Sequence, residues 1–183
     1  VRPSLRALAL AAVALAAART TTAGPAPPLG LGRTASAAEI AGWDIDVRAD
    51  GAGLPPGRGS VEEGRRLYAT ACAGCHGAKG EGGPMDALTG GRGTLASAKP
   101  VRTVSSYWPY STTLFDFIRR AMPYTAPQSL TPDQVYALCA FLLSLDGIVP
   151  ADAVLDAASL PRVRMPNRDG FDGPRGEPEP PSR

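Results

Sequence analysis

The one histidine of this 183-residue chain stands directly behind the second of two closely spaced cysteines, in Cys72-Ala73-Gly74-Cys75-His76. No other feature restricts the fold as much, because it places three ligand-type side chains on about one turn of backbone. A disulfide framework is excluded: the chain has three Cys in all, and small disulfide scaffolds are far denser in Cys. A zinc site lacks ligands, since only Cys139 remains outside the motif and structural zinc takes four Cys or His. A thioredoxin-type pair needs a βαβ setting, which the flanking sequence does not offer. The pattern that fits is C-x-x-C-H attachment of a c-type haem. Two thiols at a helix end reach the two vinyl groups along one edge of the macrocycle, and the next imidazole falls under the iron. One motif and one His therefore predict one covalently attached haem c, held by Cys72 and Cys75, with His76 as the proximal iron ligand.

The sixth position cannot be a second His. A thioether is the usual soft partner, and it favours the ferrous state. Three Met compete. Met85 lies in the glycine-rich loop that leaves the His side, and Met165 lies in an irregular segment near the end. Met122 precedes Pro123, whose ring stiffens the turn and carries no competing N–H. Met122 is the preferred distal ligand. Met85, Met165 and an open or water-bound position stay open, and a Met can also be plain core filler.

The rest of the chain divides by pattern. Residues 1–37 read as a secretory signal: Arg2 and Arg6 precede twelve uninterrupted Ala, Leu and Val from Ala7 to Ala18, then a small and polar stretch with cleavage sites after Ala23 or Ala37. Twelve apolar residues are too few to span a bilayer. Residues 38–59 form an extended Gly/Pro-rich arm, residues 60–147 hold the periodic segments, and residues 148–183 are an irregular arm with a Pro-rich end expected to be disordered. Within 60–147, Ser60 and Glu63 make a capping box for a first helix, and a second runs from about Thr112 to Ala121. Thr131, Pro132 and Gln134 open a third that runs to Gly147 and is apolar nearly all round. The loop from Gly77 to Gly93 carries seven Gly and can wrap a large flat object. Strand signals are weak, so the fold is expected to be mostly helical with long loops. Cys139 has no partner Cys and reads as a buried helix residue.

The formal charge of +2 is carried by the leader: residues 1–37 hold four Arg and no acid, and their removal leaves −2. Nothing in that balance argues for nucleic acid. Long-range steering of partners is expected to be modest, with shape and apolar contact holding them.

Beside the haem motif, Gly64, Tyr68, Met122-Pro123 and the late helix VYALCAFLLSL resemble a class I cytochrome c domain over about residues 60–147. The resemblance implies a mostly α fold of three or more helices around one haem, with Gly64 and Tyr68 packed on the last helix between Tyr136 and Phe141. It also implies a haem contact for Leu88, in the family's P-x-L-x-G turn. That turn is present here as Asp86-Ala87-Leu88-Thr89-Gly90, with Asp86 in place of the Pro whose carbonyl orients the proximal His; Pro84 is the candidate to take over the turn. Arg102, Tyr107 and Trp108, with Arg92 and Lys99, are candidates to meet the haem propionates, or else they form a solvated basic face. Ala73, Gly74, Gly77 and Ala78 are small enough for a redox partner to approach the haem edge, or simply pack on it.

A narrower resemblance lies outside the haem segment. The arm WDIDVRADGAGLPPG, the block SSYWPYSTTLFDFIRRAMPYTAPQSL and the tail LPRVRMPNRDGF are similar to cytochrome subunits of the periplasmic sulfane dehydrogenase of bacterial thiosulfate oxidation (the Sox pathway) and of molybdenum sulfite dehydrogenases. What this implies is an exported, periplasmic electron-transfer subunit that accepts single electrons from a molybdenum-containing catalytic subunit and passes them to another cytochrome or an oxidase. Any dehydrogenase activity would reside in the partner chain. Some such subunits carry two haems, whereas this chain has one attachment motif. The arms either clamp the partner or cover their own domain. Two alternatives stand beside this reading: a free soluble shuttle to a terminal oxidase, and a haem protein with an open sixth site that binds small ligands.

Overall fold

The computed structural model describes residues 30–171. Residues 1–29 of the segment 1–37 read as a secretory signal, and the Pro-rich end from residue 172, lie outside the described residues. Residues 30–36 group apart from the rest and hold no helix or strand.

From Ala37 onward the order is α1 (Ala37–Trp43), β1 (Arg58–Ser60), α2 (Val61–Ala71), α3 (Ala73–His76), α4 (Ser111–Ala121), α5 (Pro132–Leu145), β2 (Val154–Asp156) and a 3-10 turn (Leu160–Arg162). The arm read as extended therefore starts with a short helix. Ala37, Ala38, Glu39, Ile40 and Ala41 include good helix formers with an acid in the first turn, a local signal that Gly and Pro further along the arm had masked. Among the described residues no helix is long and apolar enough to cross a membrane.

The helices form where capping and pattern place them. Ser60 Oγ accepts from the Glu63 N–H while the Glu63 carboxylate accepts from the Ser60 N–H, and Thr131 and Gln134 repeat this reciprocal cap on α5. Every residue of α5 from Val135 to Leu143 is buried, as its all-round apolar sequence requires. The centre of the fold is the crossing of α2 over α5. A Cβ on Gly64 would stand 1.9 Å from the Ala137 carbonyl oxygen, so only glycine permits this approach. One turn later the Tyr68 ring lies 5.1 Å from Phe141 and its Oη donates to the Gly77 carbonyl at 2.9 Å. The α4 helix packs on the far side, with Phe115 and Tyr136 at 4.6 Å. Burial pushes the phenols of Tyr68 and Tyr136 up to about 12, so both remain hydrogen-bond donors at any physiological pH. The expected contact of Gly64 and Tyr68 with the last helix is what the structure shows.

Both arms lie on this core. β1 and β2 pair antiparallel, Gly59 opposite Leu155, a two-stranded ribbon too short to be read from alternation. The Val47 N–H donates to Asp116 Oδ1 at 3.1 Å, Arg120 bridges Asp116 and Asp46 at 2.9 and 2.7 Å, and Thr112 Oγ1 donates to the Ala49 carbonyl. These contacts fasten the N-terminal arm along α4. On the C-terminal side Leu155, Leu160 and Met165 are buried in the same core, and Ser111 Oγ donates to the Leu160 carbonyl at 2.6 Å. The N-terminal arm from Asp46 onward and the C-terminal arm through Met165 pack on their own domain, whereas α1 is exposed.

Candidate functional site

The motif begins where α2 ends. Cys72 caps α2 and starts the single turn α3, so that Cys75 and His76 sit on that turn, with the N–H groups of Cys75 and His76 both donating to the Cys72 carbonyl. Gly77 closes the turn at φ +81, a backbone conformation that favours glycine. Chain direction reverses there, and the glycine loop folds back over the motif. Gly82 N–H donates to the His76 carbonyl at 2.8 Å and Met85 N–H to the Cys75 carbonyl at 3.0 Å. Cys75 is exposed and Cys72 is half-buried against the core. Before attachment of the haem, burial, and then the neighbouring Cys75, push the Cys72 thiol up to about 11.

His76 Nδ1 lies 2.8 Å from the Asp86 carbonyl oxygen. A carbonyl only accepts, so Nδ1 carries the proton and Nε2 presents its lone pair. The turn at Pro84 was expected to take over this role; instead Asp86 itself supplies the carbonyl, because a backbone oxygen does not depend on the side chain above it. Asp86→Ala should therefore leave the absorption spectrum of the haem-loaded protein unchanged, which a visible scan of the purified variant checks.

Of the remaining candidates, Leu88, Trp108 and Met122 are half-buried and pack against the same core cluster as Cys72. Leu88 is fixed by backbone bonds at both ends, its N–H to the Gly80 carbonyl at 2.7 Å and its carbonyl from the Val104 N–H. Trp108 stands edge-on to Phe117 at 5.6 Å. Met122 caps the C-terminus of α4, its N–H donating to Ile118. The other two Met are placed differently: Met85 is 50% exposed and Met165 is 1% exposed inside the core. Arg102 lies over the Tyr107 ring at 5.5 Å, an exposed position at the rim. Cys139 is fully buried in α5, and burial pushes its thiol up.

One anchor was missed. Asp146 Oδ2 accepts from the Gly90 N–H at 2.8 Å and from Ser105 Oγ, tying the end of α5 to the loop that carries Leu88 and Trp108. A signal was present: an acid at a helix C-terminus opposes the macrodipole, so Asp146 needed another partner.

The donor set fits a haem. Two unpaired thiols and an imidazole with Nε2 free share one turn, and half-buried apolar side chains lie on the same core. Among the described residues no group of three or more His, Cys, Asp or Glu could hold a bare metal ion.

Comparison with known proteins agrees with this geometry. The cytochrome c family model matches residues 61–146. Among solved structures, the chain is similar to a chain of the sulfane dehydrogenase SoxCD from Paracoccus pantotrophus, with 46% identity and a TM-score of 0.74 over 79% of this chain and 71% of that one. No curated protein sequence matches it.

Proposed function

Because the chain belongs to the cytochrome c family and so carries covalently bound haem c for electron transfer, we propose that it is the periplasmic electron-accepting subunit of a molybdenum-containing sulfane or sulfite dehydrogenase. One observation carries this. The likeness to the sulfane dehydrogenase chain covers 79% of 183 residues, more than the 61–146 haem segment, so it extends into the flanking arms. Those arms have no part in attaching a haem; they are what distinguishes one cytochrome subfamily from another.

The bound group supplies a one-electron couple. Cys72 and Cys75 fix it to the chain, and His76 offers Nε2 while Asp86 holds its other nitrogen. Met122, half-buried at the end of α4, would supply the thioether. Leu88 and Trp108, half-buried against the core, would shield the group from water, and a dry, Met-ligated site would favour the reduced state. Arg102, backed by the Tyr107 ring, is placed to meet a propionate. No proton or substrate atom need be exchanged, and sulfur chemistry belongs to the partner.

The test is purification of the native protein from its periplasmic fraction, followed by metal analysis. About one molybdenum per haem, with a second polypeptide, is expected; a lone haem protein that reduces an oxidase directly would replace this reading with the free shuttle. A high-spin ferric spectrum would instead favour the open sixth site.

A further inference from the structure

We propose that Asp146, at the end of α5, is a positioning residue for the proximal histidine: it pins the strap of chain whose carbonyl holds His76 Nδ1. The strap is residues 86–90. At its start the Asp86 carbonyl oxygen lies 2.8 Å from His76 Nδ1, and at its far end the Gly90 N–H donates to Asp146 Oδ2 at 2.8 Å. The same carboxylate oxygen accepts from Ser105 Oγ, so one side chain grips both the strap and the segment that returns beside it.

The loop needs such a grip because it has little stiffness of its own. Residues 77–93 carry seven Gly, and Gly90, which makes the bond to Asp146, sits at φ +79 with no side chain to lock it. The start of the strap is held by the haem-attachment motif, through the Met85 N–H on the Cys75 carbonyl at 3.0 Å. Beyond it the bonds stay inside the loop. Leu88 and Thr89 both donate their N–H to the Gly80 carbonyl, the Val104 N–H donates to the Leu88 carbonyl at 3.2 Å, and Thr103 Oγ1 donates to the Gly90 carbonyl at 2.7 Å. Among the described residues, the two hydrogen bonds that tie residues 88–106 to a helix or its cap both fall on Asp146.

That attachment point is firm. Every residue of α5 from Val135 to Leu143 is buried, and Ser105 is 1% exposed, so loss of the carboxylate would leave a buried hydroxyl without its acceptor. A carboxylate at a helix C-terminus opposes the macrodipole, and the two donors offset this at Asp146. For the haem-loaded protein the consequence lies at His76. The acceptor at the outer nitrogen of a histidine ligand sets the orientation of the ring and its basicity toward the metal. If the strap drifts, the Nδ1–H bond to the Asp86 carbonyl weakens, the imidazole donates less to iron, and the ferric state loses support. Asp146 acts through the main chain of residues 86–90, and the Asp86 side chain has no part in it.

Proton exchange of the ferrous haem-loaded protein, followed by NMR with no molybdenum partner present, tests this separately from the subunit reading. In the wild type the His76 Nδ1 proton and the Gly90 amide should exchange through one opening, with protection factors within about threefold of each other. Asp146→Ala removes both bonds and should speed Nδ1 exchange. Its ferrous-to-ferric ratio in a fixed redox buffer should rise about threefold, less than the ~10-fold that loss of a direct outer-shell partner costs. Asp146→Asn keeps an oxygen that can accept from both donors and should restore wild-type exchange, while Ser105→Ala, which removes one donor of the two, should fall between. An Nδ1 proton that exchanges at the wild-type rate in Asp146→Ala, or an Asp146→Asn protein that behaves like Asp146→Ala, would overturn the proposal. If Asp146→Ala fails to fold, the wild type still decides: a Gly90 amide protected roughly 100-fold less than the Nδ1 proton would mean that the Asp146 bond opens without moving His76, and would overturn it equally.

Discussion

Met122→Ala should abolish the weak red charge-transfer band of Met-ligated ferric haem and lower the reduction potential by on the order of 0.1 V or more, within the ~0.8 V that axial ligands span. Met165→Ala should do neither. The two residues occupy different environments: Met122 is half-buried at the end of α4, where a sulfur can reach beyond the core, and Met165 is 1% exposed within it. Deleting a fully buried Met side chain costs about 2–5 kcal/mol, so Met165→Ala should show an ordinary spectrum and a reduced denaturant midpoint. The third candidate, Met85, is 50% exposed on the glycine loop, and Met85→Ala should change neither property. Ferric absorption spectra, redox titration and denaturant melts of the three variants separate the ligand from the filler. Retention of the band in Met122→Ala would remove the assignment.

The parts of this structure that could be read in advance are those set by near neighbours in sequence. The Ser60–Glu63 and Thr131–Gln134 caps each lie within four residues, and both close as the side chains dictate. The C-x-x-C-H turn is likewise local, as its two cysteines and its histidine ride on one helical end. Contacts between distant segments were less legible. The Val47–Asp116 bond joins residues 69 apart and the Gly90–Asp146 bond residues 56 apart, and nothing in either neighbourhood specifies the other. The β1–β2 ribbon is three residues per strand, shorter than any alternation that could announce it. The His76 anchor lay hidden for a different reason. It is a main-chain carbonyl, and a motif written in side chains points to the residue type, here Pro, while the function belongs to a backbone atom that Asp86 supplies equally well.

Gly64 carries the second large effect. In an exposed helix interior a Gly→Ala change gains about 1 kcal/mol from propensity, and Gly64 sits mid-helix in α2, so propensity alone predicts stabilisation. Packing reverses the sign. The new Cβ would lie 1.9 Å from the Ala137 carbonyl oxygen and 2.8 Å from Phe141 Cβ. The first of these is backbone within a buried helix and cannot rotate away, so α2 and α5 must separate. Overpacking of this kind costs about 1–3 kcal/mol and occasionally more; with a main-chain clash the upper end applies, leaving Gly64→Ala destabilised by about 2 kcal/mol net. The separation acts next to the site, because Tyr68 packs on Phe141 one turn further along and Cys72 ends the same helix. Gly42, in α1, provides the control: its added Cβ would meet nothing within 4 Å, and Gly42→Ala should be neutral or slightly stabilising. Denaturant midpoints of the two haem-loaded variants decide the matter. A Gly64→Ala protein as stable as the wild type would mean that the helices have slack at their crossing, contrary to the close approach on which the α2–α5 contact rests.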